Sequence, residues 1–321
     1  MSATIADSAR PTSPRGDADR LRGVLAAALT PVDADLAPDF DRATQHCRWL
    51  LAQGCDGLAV LGTTGEANSF SVAERSALLD HLVGNGVPAA ALLPGTGCAA
   101  LSDSVALTRH AVRHGVGGCL MLPPFYYKSV ADDGLFAAYA EVIERVGDPG
   151  LRIYLYHFPQ MSGVPLSLRL IERLVTRYPA TVVGMKDSSG DLANMLAVVG
   201  AVPGFTVLSG SDELLLPLLE GGGAGCITAC ANVAAPLAAS VLALWRQGNP
   251  GAGRAQERLS QVRRVIQRYP LAPALKSLIA AAAGEPGWRR LRPPLVPLGD
   301  DAAAALARDL AEIDFAPPAW P

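Results

Sequence analysis

The sequence predicts an α/β fold, a (β/α)8 TIM barrel with a C-terminal helical appendage. Three observations carry this expectation. Eight short apolar runs recur from residue 24 onward, amphipathic stretches alternate with them, and further helical stretches with no strand partner come after the eighth run. Nearly continuous apolar strands separated by helices imply a parallel sheet covered on its outer face, and eight such units close a barrel. An open doubly wound sheet is the alternative.

The runs occupy residues 24–29, 57–61, 89–93, 118–122, 153–156, 181–185, 206–208 and 225–228. Ser71, with Glu74 three residues on, has the form of a capping box and starts the helix after the second run; Ser102 and Asp103, ahead of Val105, Ala106 and Leu107, mark the start of the next. Residues 221–225, glycine throughout except Ala224, read as a tight turn into the eighth strand. They precede that strand, whereas barrel phosphate sites lie after strands seven and eight at the other end. Helices are expected near 236–247, 252–268, 272–283 and 301–313. The division this implies is a disordered tail over residues 1–20, a barrel over 21–232, and the last barrel helix with the helical region over 233–321.

Half of the 321 residues are hydrophobic, enough for a large core, and the formal charge of -3 with no lysine/arginine cluster argues against a nucleic-acid or anionic-membrane partner. No apolar stretch is long enough to span a bilayer. Residues 1–20 lack the apolar middle of a secretory signal, so the chain reads as cytoplasmic. Cys47, Cys55, Cys98, Cys119, Cys226 and Cys230 are scattered without a Cys-x-x-Cys pair and read as reduced, mostly buried thiols. Cys226 and Cys230 lack the second pair or nearby histidine that a metal site needs.

Lys186 is one of three lysines and comes directly after the apolar sixth run. An amine can attack a carbonyl and form an imine, which a guanidinium cannot. The local sequence equally allows a lysine snorkelling from a strand end. Alternation puts Val182, Gly184 and Lys186 on one face, where the glycine leaves room for a long side chain inside the barrel. Tyr156 ends the fifth run one βα repeat earlier, and strands roughly 4.8 Å apart can bring its phenol to the amine as a proton carrier; a strand-end tyrosine is also ordinary core with a wet tip. After the second run, Gly62-Thr63-Thr64-Gly65-Glu66 offers hydroxyls and amides to a small carboxylate. These neighbours favour the amine reading of Lys186.

Five segments, GTTGE at 62–66, PPFYY at 123–127, YHFPQMSG at 156–163, GMKDSSGD at 184–191 and LSGSDE at 208–213, together resemble the pyruvate-dependent class I aldolases and lyases of the dihydrodipicolinate synthase and N-acetylneuraminate lyase family, over roughly residues 22–300. The resemblance implies Lys186 as the Schiff-base lysine and Tyr156 as proton donor and acceptor. It implies Thr63 and Thr64 as binders of the pyruvoyl carboxylate, with Thr64 also in the proton relay. Tyr126 resembles a relay tyrosine contributed across a dimer interface, with Tyr127 leaving the register open, and Gly210 and Ile227 would line the pocket through backbone groups. No cofactor beyond the covalent lysine imine is implied; the partners are pyruvate and an aldehyde, and the assembly a tetramer of two dimers.

One departure bears on the substrate. Where dihydrodipicolinate synthases carry an arginine for the aldehyde's carboxylate, this chain has Met161, and His157 replaces a common asparagine. Residues 162–164 resemble the sugar-acid lyase branch and GMKDSSGD the hydroxy-oxoglutarate aldolase branch. The expected reaction is therefore cleavage of a 2-oxo-3-deoxy sugar acid or 4-hydroxy-2-oxo acid to pyruvate and an aldehyde, with dihydrodipicolinate synthase as runner-up and a non-catalytic 2-oxo-acid-binding barrel as a third reading. A metal-dependent aldolase would need a histidine and carboxylate cluster. The pair with suitable spacing, His110 and His114, falls on a helix outside the barrel and reads as a solvated face, so no metal is expected.

Overall fold

A computed structural model of the chain describes residues 20–320. The tail expected over residues 1–20 lies, apart from Arg20, outside the described residues. Seven strands run parallel: β1 Gly23–Ala26, β2 Gly57–Leu58, β3 Cys119–Met121, β4 Ile153–His157, β5 Val182–Asp187, β6 Thr206–Ser209 and β7 Gly225–Thr228. Their order is β2-β1-β7-β6-β5-β4-β3. Residues 92–96 join the two edges: the amides of Leu93 and Gly95 donate to Leu58 and Val60 on one side, while on the other the Thr96 amide donates to Leu120 and the Leu120 amide donates to Pro94. The sheet therefore curls and its edges meet, which removes the open doubly wound alternative.

The first eight helices lie between the strands and the last four follow β7. They are α1 Phe40–Ala52, α2 Val72–Gly84, α3 Leu101–Arg113, α4 Asp132–Val146, α5 Pro159–Ser162, α6 Leu168–Arg177, α7 Leu192–Ala201, α8 Leu215–Glu220, α9 Ala231–Arg246, α10 Ala252–Ile266, α11 Leu271–Ala283 and α12 Asp300–Glu312. The capping box at Ser71 and Glu74 forms in full. Helix α3 starts earlier than its Ser102-Asp103 signal, with Ala100 at the N-cap position and no side-chain cap, and Ser104 accepts from the amide of Cys98. The glycine run at 221–225 does make the turn from α8 into β7: a Cβ on Gly225 would stand 2.0 Å from the carbonyl oxygen of Gly23.

The third run is displaced. Residues Ala89–Ala91 make a 3-10 turn, and the extended segment is 92–96, held through isolated bridges. Pro94 inside it has no amide to give, so a full ladder cannot form there.

Two apolar layers result from strand alternation. Leu25, Ala27, Ala59, Leu93, Leu120, Tyr154, Tyr156, Val183, Leu208 and Ile227 pack inside the sheet, while Val24, Leu58, Leu92, Cys119, Met121, Leu155, Val182, Met185 and Val207 pack outward with the helices. Val182 is thus not on the face of Lys186. Between Ile153 and Tyr154 the register slips by one residue, so that Ile153 faces Val182 but Tyr154 faces Gly184; Val183 is the extra residue and turns inward. The space at Gly184 is also not the lysine's. The Tyr154 ring fills it, 2.8 Å from where a Cβ would be, and the same ring lies 2.7 Å from the Cβ position of Gly118.

At the outer side, His46 is fully buried among Trp49, Trp288 and Trp320. Asn232 Oδ1 accepts from the Leu29 amide and lies 2.8 Å from His46 Nε2, so that nitrogen carries the proton and donates. Burial lowers the imidazole to about 4, with the Asn232 hydrogen bond opposing. The folded state thus holds fewer protons than the unfolded one between about 4 and 6.5, and stability present above that window is lost as pH falls through it, by up to about 3 kcal/mol. Denaturant melts at pH 7 and pH 4.5 should show this loss, and His46→Gln should flatten it; an unchanged pH slope in the variant would contradict the assignment.

Candidate active site

Tyr156 and Lys186 face each other directly in the β4–β5 register, near the C-terminal ends of both strands. Both point inward and are almost wholly buried. Lys186 Nζ donates to Tyr156 Oη at 3.2 Å and sits 4.5 Å from the centre of that ring. The phenol also meets Thr63 Oγ1 at 3.3 Å, which gives a continuous amine–phenol–hydroxyl path. The hydroxyl on the phenol is therefore Thr63's and not Thr64's; Thr64 lines the same cavity.

The cavity has a volume of about 1170 Å³ and opens over the strand ends. Thr63, Thr64, Tyr156, Met161, Lys186 and Gly210 all border it. Gly210 donates its amide to the carbonyl of Asp187 at 2.6 Å, which ties β6 to the end of β5. Ile227 does not border the cavity: it is fully buried in the apolar cluster inside the sheet. Tyr126 and Tyr127 are 73% and 72% exposed and also stand outside the cavity of their own chain. Met161 on α5 is 63% exposed and borders the cavity, while His157 faces away from it. Its Nδ1 accepts from the amide of Leu166, and burial lowers the ring's affinity for a proton while Asp187 opposes. Strand alternation explains this: with Tyr156 inward, His157 must be outward, so it carries no information about a substrate.

Much of the GMKDSSGD segment has an architectural task. Asp187 is fully buried and accepts from the Ser189 amide and the Asn194 side chain, and Asp191 caps α7 through the Asn194 amide. Ser188, Ser189 and Gly190 then border the cavity, as do Asn68, Glu213, Arg263 and residues 294–299, which sequence reasoning did not single out.

It also missed the anchor of the Thr63-Thr64 loop. Glu66 sits in the left-handed region at φ 57°, and its side chain is wholly buried. Lys276, equally buried on α11, donates to its Oε1, and the Arg292 amide donates to Oε2 at 3.0 Å. Lys276 donates also to the Arg290 carbonyl at 2.8 Å. Burial lowers the Lys276 ammonium below the usual lysine range while Glu66 opposes. The Arg292 guanidinium ties to Glu74 and Ser69, and Arg292 holds the Glu74 carboxyl down at about 2. Lys276 was detectable as the sole charge in a thirteen-residue apolar helix.

With this geometry in place, the comparisons with known proteins agree on one family. A model described as the dihydrodipicolinate synthetase family matches residues 20–313. The chain belongs to that family. Among its relatives is an uncharacterized DapA-like lyase of Chloroflexus aurantiacus, 37% identical over 286 residues that cover 89% of this chain and 94% of the relative. A 4-hydroxy-tetrahydrodipicolinate synthase of Saccharophagus degradans is 31% identical over 280 residues, 87% of this chain and 94% of that one. A solved structure of YagE, an Escherichia coli K12 prophage protein of the dihydrodipicolinic acid synthase family in complex with pyruvate, superposes with a TM-score of 0.82 at 28% identity, covering 91% of this chain and 98% of that one. The family's fold thus extends over nearly all the described residues. Among those residues no helix is long and apolar enough to cross a membrane.

Proposed function

We propose that this family member is a pyruvate-dependent, Schiff-base-forming aldolase that cleaves a 2-oxo-3-deoxy sugar acid or 4-hydroxy-2-oxo acid to pyruvate and an aldehyde. The observation that carries the reading is the 3.2 Å contact of Lys186 Nζ with Tyr156 Oη on the cavity wall. On this reading the closed sheet, with residues 92–96 counted as a strand, is a (β/α)8 barrel whose chemistry lies at the strand ends.

The Lys186 amine attacks the ketone carbon of the substrate, the Tyr156 phenol gives its proton to the departing hydroxyl, and water leaves, so that a protonated imine and a Tyr156 phenolate remain. The protonated imine draws the electron pair of the breaking carbon–carbon bond, while the substrate hydroxyl gives its proton to the Tyr156 oxygen and becomes the aldehyde carbonyl. The enamine left on Lys186 regains a proton through the same phenol, and hydrolysis frees pyruvate. Thr63 continues the proton path, and Thr64 with the adjacent amides holds the pyruvoyl carboxylate. Tyr126 or Tyr127 of a second copy would complete the relay in a dimer, two of which would make the tetramer. No further cofactor is invoked. The enzyme would act in the cytoplasm.

Met161 favours this reaction over dihydrodipicolinate synthesis, the alternative supported by the relatives that carry that name. Arg263 borders the cavity, yet its guanidinium is engaged with Cys230 Sγ at 3.6 Å and Asp212 at 3.9 Å. No arginine in the 156–163 segment stands ready for an aldehyde's carboxylate. A pyruvate-release assay over a panel of 2-oxo-3-deoxy acids, with pyruvate plus aspartate semialdehyde run in the condensing direction, tests the assignment. Release from the panel without condensation is expected; condensation alone would replace it with the alternative. Tyr156→Phe should lower kcat by about two to four orders of magnitude if the phenol moves the proton; a near-silent substitution would reduce it to packing.

A further inference from the structure

We propose that Asp80, His110 and His114 form a site for a divalent first-row transition metal ion, with zinc as the reference, which fastens α2 to α3 on the outside of the molecule. His110 lies in the last turn of α3 and His114 caps it, so the two imidazoles leave one helix face a turn apart. Asp80 projects from the neighbouring α2. Its Oδ1 stands 2.8 Å from His110 Nε2 and 2.6 Å from His114 Nε2, and the two rings meet edge to face with centroids 4.9 Å apart.

Hydrogen bonding accounts for only one of these contacts. His114 Nε2 meets the carboxylate in hydrogen-bond geometry. His110 Nε2 is as near and is closed off from solvent, yet it has no hydrogen-bond partner, because the carboxylate lies off its bonding direction. A sheltered imidazole nitrogen without a partner is destabilising, and a cation shared by all three donors would use it. Zinc–ligand distances of about 2.0–2.1 Å place donor atoms roughly 3.4 Å apart, so each imidazole nitrogen needs to draw off the Asp80 oxygen by under about 1 Å. Exposure of 27% for each histidine and 52% for Asp80 leaves room for that movement and for water to complete the coordination. Two imidazoles and a carboxylate suit zinc and its neighbours in the first row, whereas magnesium and calcium take oxygen ligands. None of the three residues borders the cavity over the strand ends, so the ion's task is structural.

The test is calorimetric titration of the tag-free, chelator-stripped full chain with zinc chloride, with magnesium chloride as control, together with thermal unfolding in both ions. One equivalent of zinc should bind and raise the unfolding midpoint, and magnesium should do neither. His110→Ala and His114→Ala should each weaken binding at least about tenfold, as loss of even a residue behind a metal ligand does. The doubly substituted chain keeps all six cysteines, which separates this site from zinc held by thiols. With copper, the wild-type chain should give an electron paramagnetic spectrum with two imidazole nitrogens. Absence of a zinc-dependent midpoint shift, or zinc binding that both substitutions leave unchanged, would overturn the proposal. So would a loss of turnover in the folded variants, which the structural role does not allow.

Discussion

Lys186→Arg should abolish the proposed pyruvate release while leaving the chain folded. The substitution keeps a hydrogen-bond donor at a position only 5% exposed, so contact with the Tyr156 phenol and with a bound carboxylate is retained. A guanidinium cannot become an imine, and turnover that depends on the covalent step falls to background. The extra bulk is accommodated because Lys186 borders a cavity of about 1170 Å³ rather than close-packed core. Steady-state kinetics with a productive 2-oxo acid, alongside a thermal melt, would make the distinction. Activity near wild type in a folded variant would refute the imine mechanism, whereas a variant that does not fold would contradict the packing described at the end of β5.

Lys276→Met should cost about 3–5 kcal/mol of stability, because it strands a buried carboxylate. In wild type both side chains of the Lys276–Glu66 pair are fully buried; without the ammonium, Glu66 keeps only the amide of Arg292. The loss is large against a usual total of about 5–15 kcal/mol. Restoring neutrality with Glu66→Gln in the same chain should recover part of it, since removing both members of a buried pair is far milder than removing one. Catalysis should fall as well. Glu66 closes the loop that carries Thr63 and holds a left-handed backbone conformation that its side-chain partners help to fix, so a freed loop lets Thr63 leave the phenol. Denaturant unfolding of the single and double variants measures the first effect. A change below about 1 kcal/mol in Lys276→Met would show that the pair does not carry the loop.

The strand ends were the legible part of the site. Lys186 and Tyr156 each fall at the end of an apolar run, one repeat apart, and period-2 alternation with parallel neighbours brings them face to face. The same alternation, applied one residue further, also turns His157 outward. Local pattern could not show the extra residue at Val183, because a bulge leaves no mark in an all-apolar stretch. Nor could it choose between Thr63 and Thr64, whose directions depend on a loop with left-handed residues at Leu61 and Glu66. The third strand lies later than its apolar run, because pairing starts where the run ends and Pro94 interrupts the extended segment. Farthest from sequence view was the Lys276–Glu66 pair, which spans 210 positions and joins the helical region after β7 to the loop after β2. Chain spacing carries no signal at that range; the isolated charge on α11 was the available hint.

The proposed chemistry rests on a covalent bond between one amine and a 2-oxo acid, and trapping that bond tests it most directly. The folded chain is incubated with pyruvate and borohydride, digested, and the peptides weighed by mass spectrometry. The prediction is a pyruvate-derived addition on Lys186, absent without pyruvate and absent in Lys186→Arg. An unmodified Lys186, or the same addition appearing equally on Lys128 or Lys276, would contradict it.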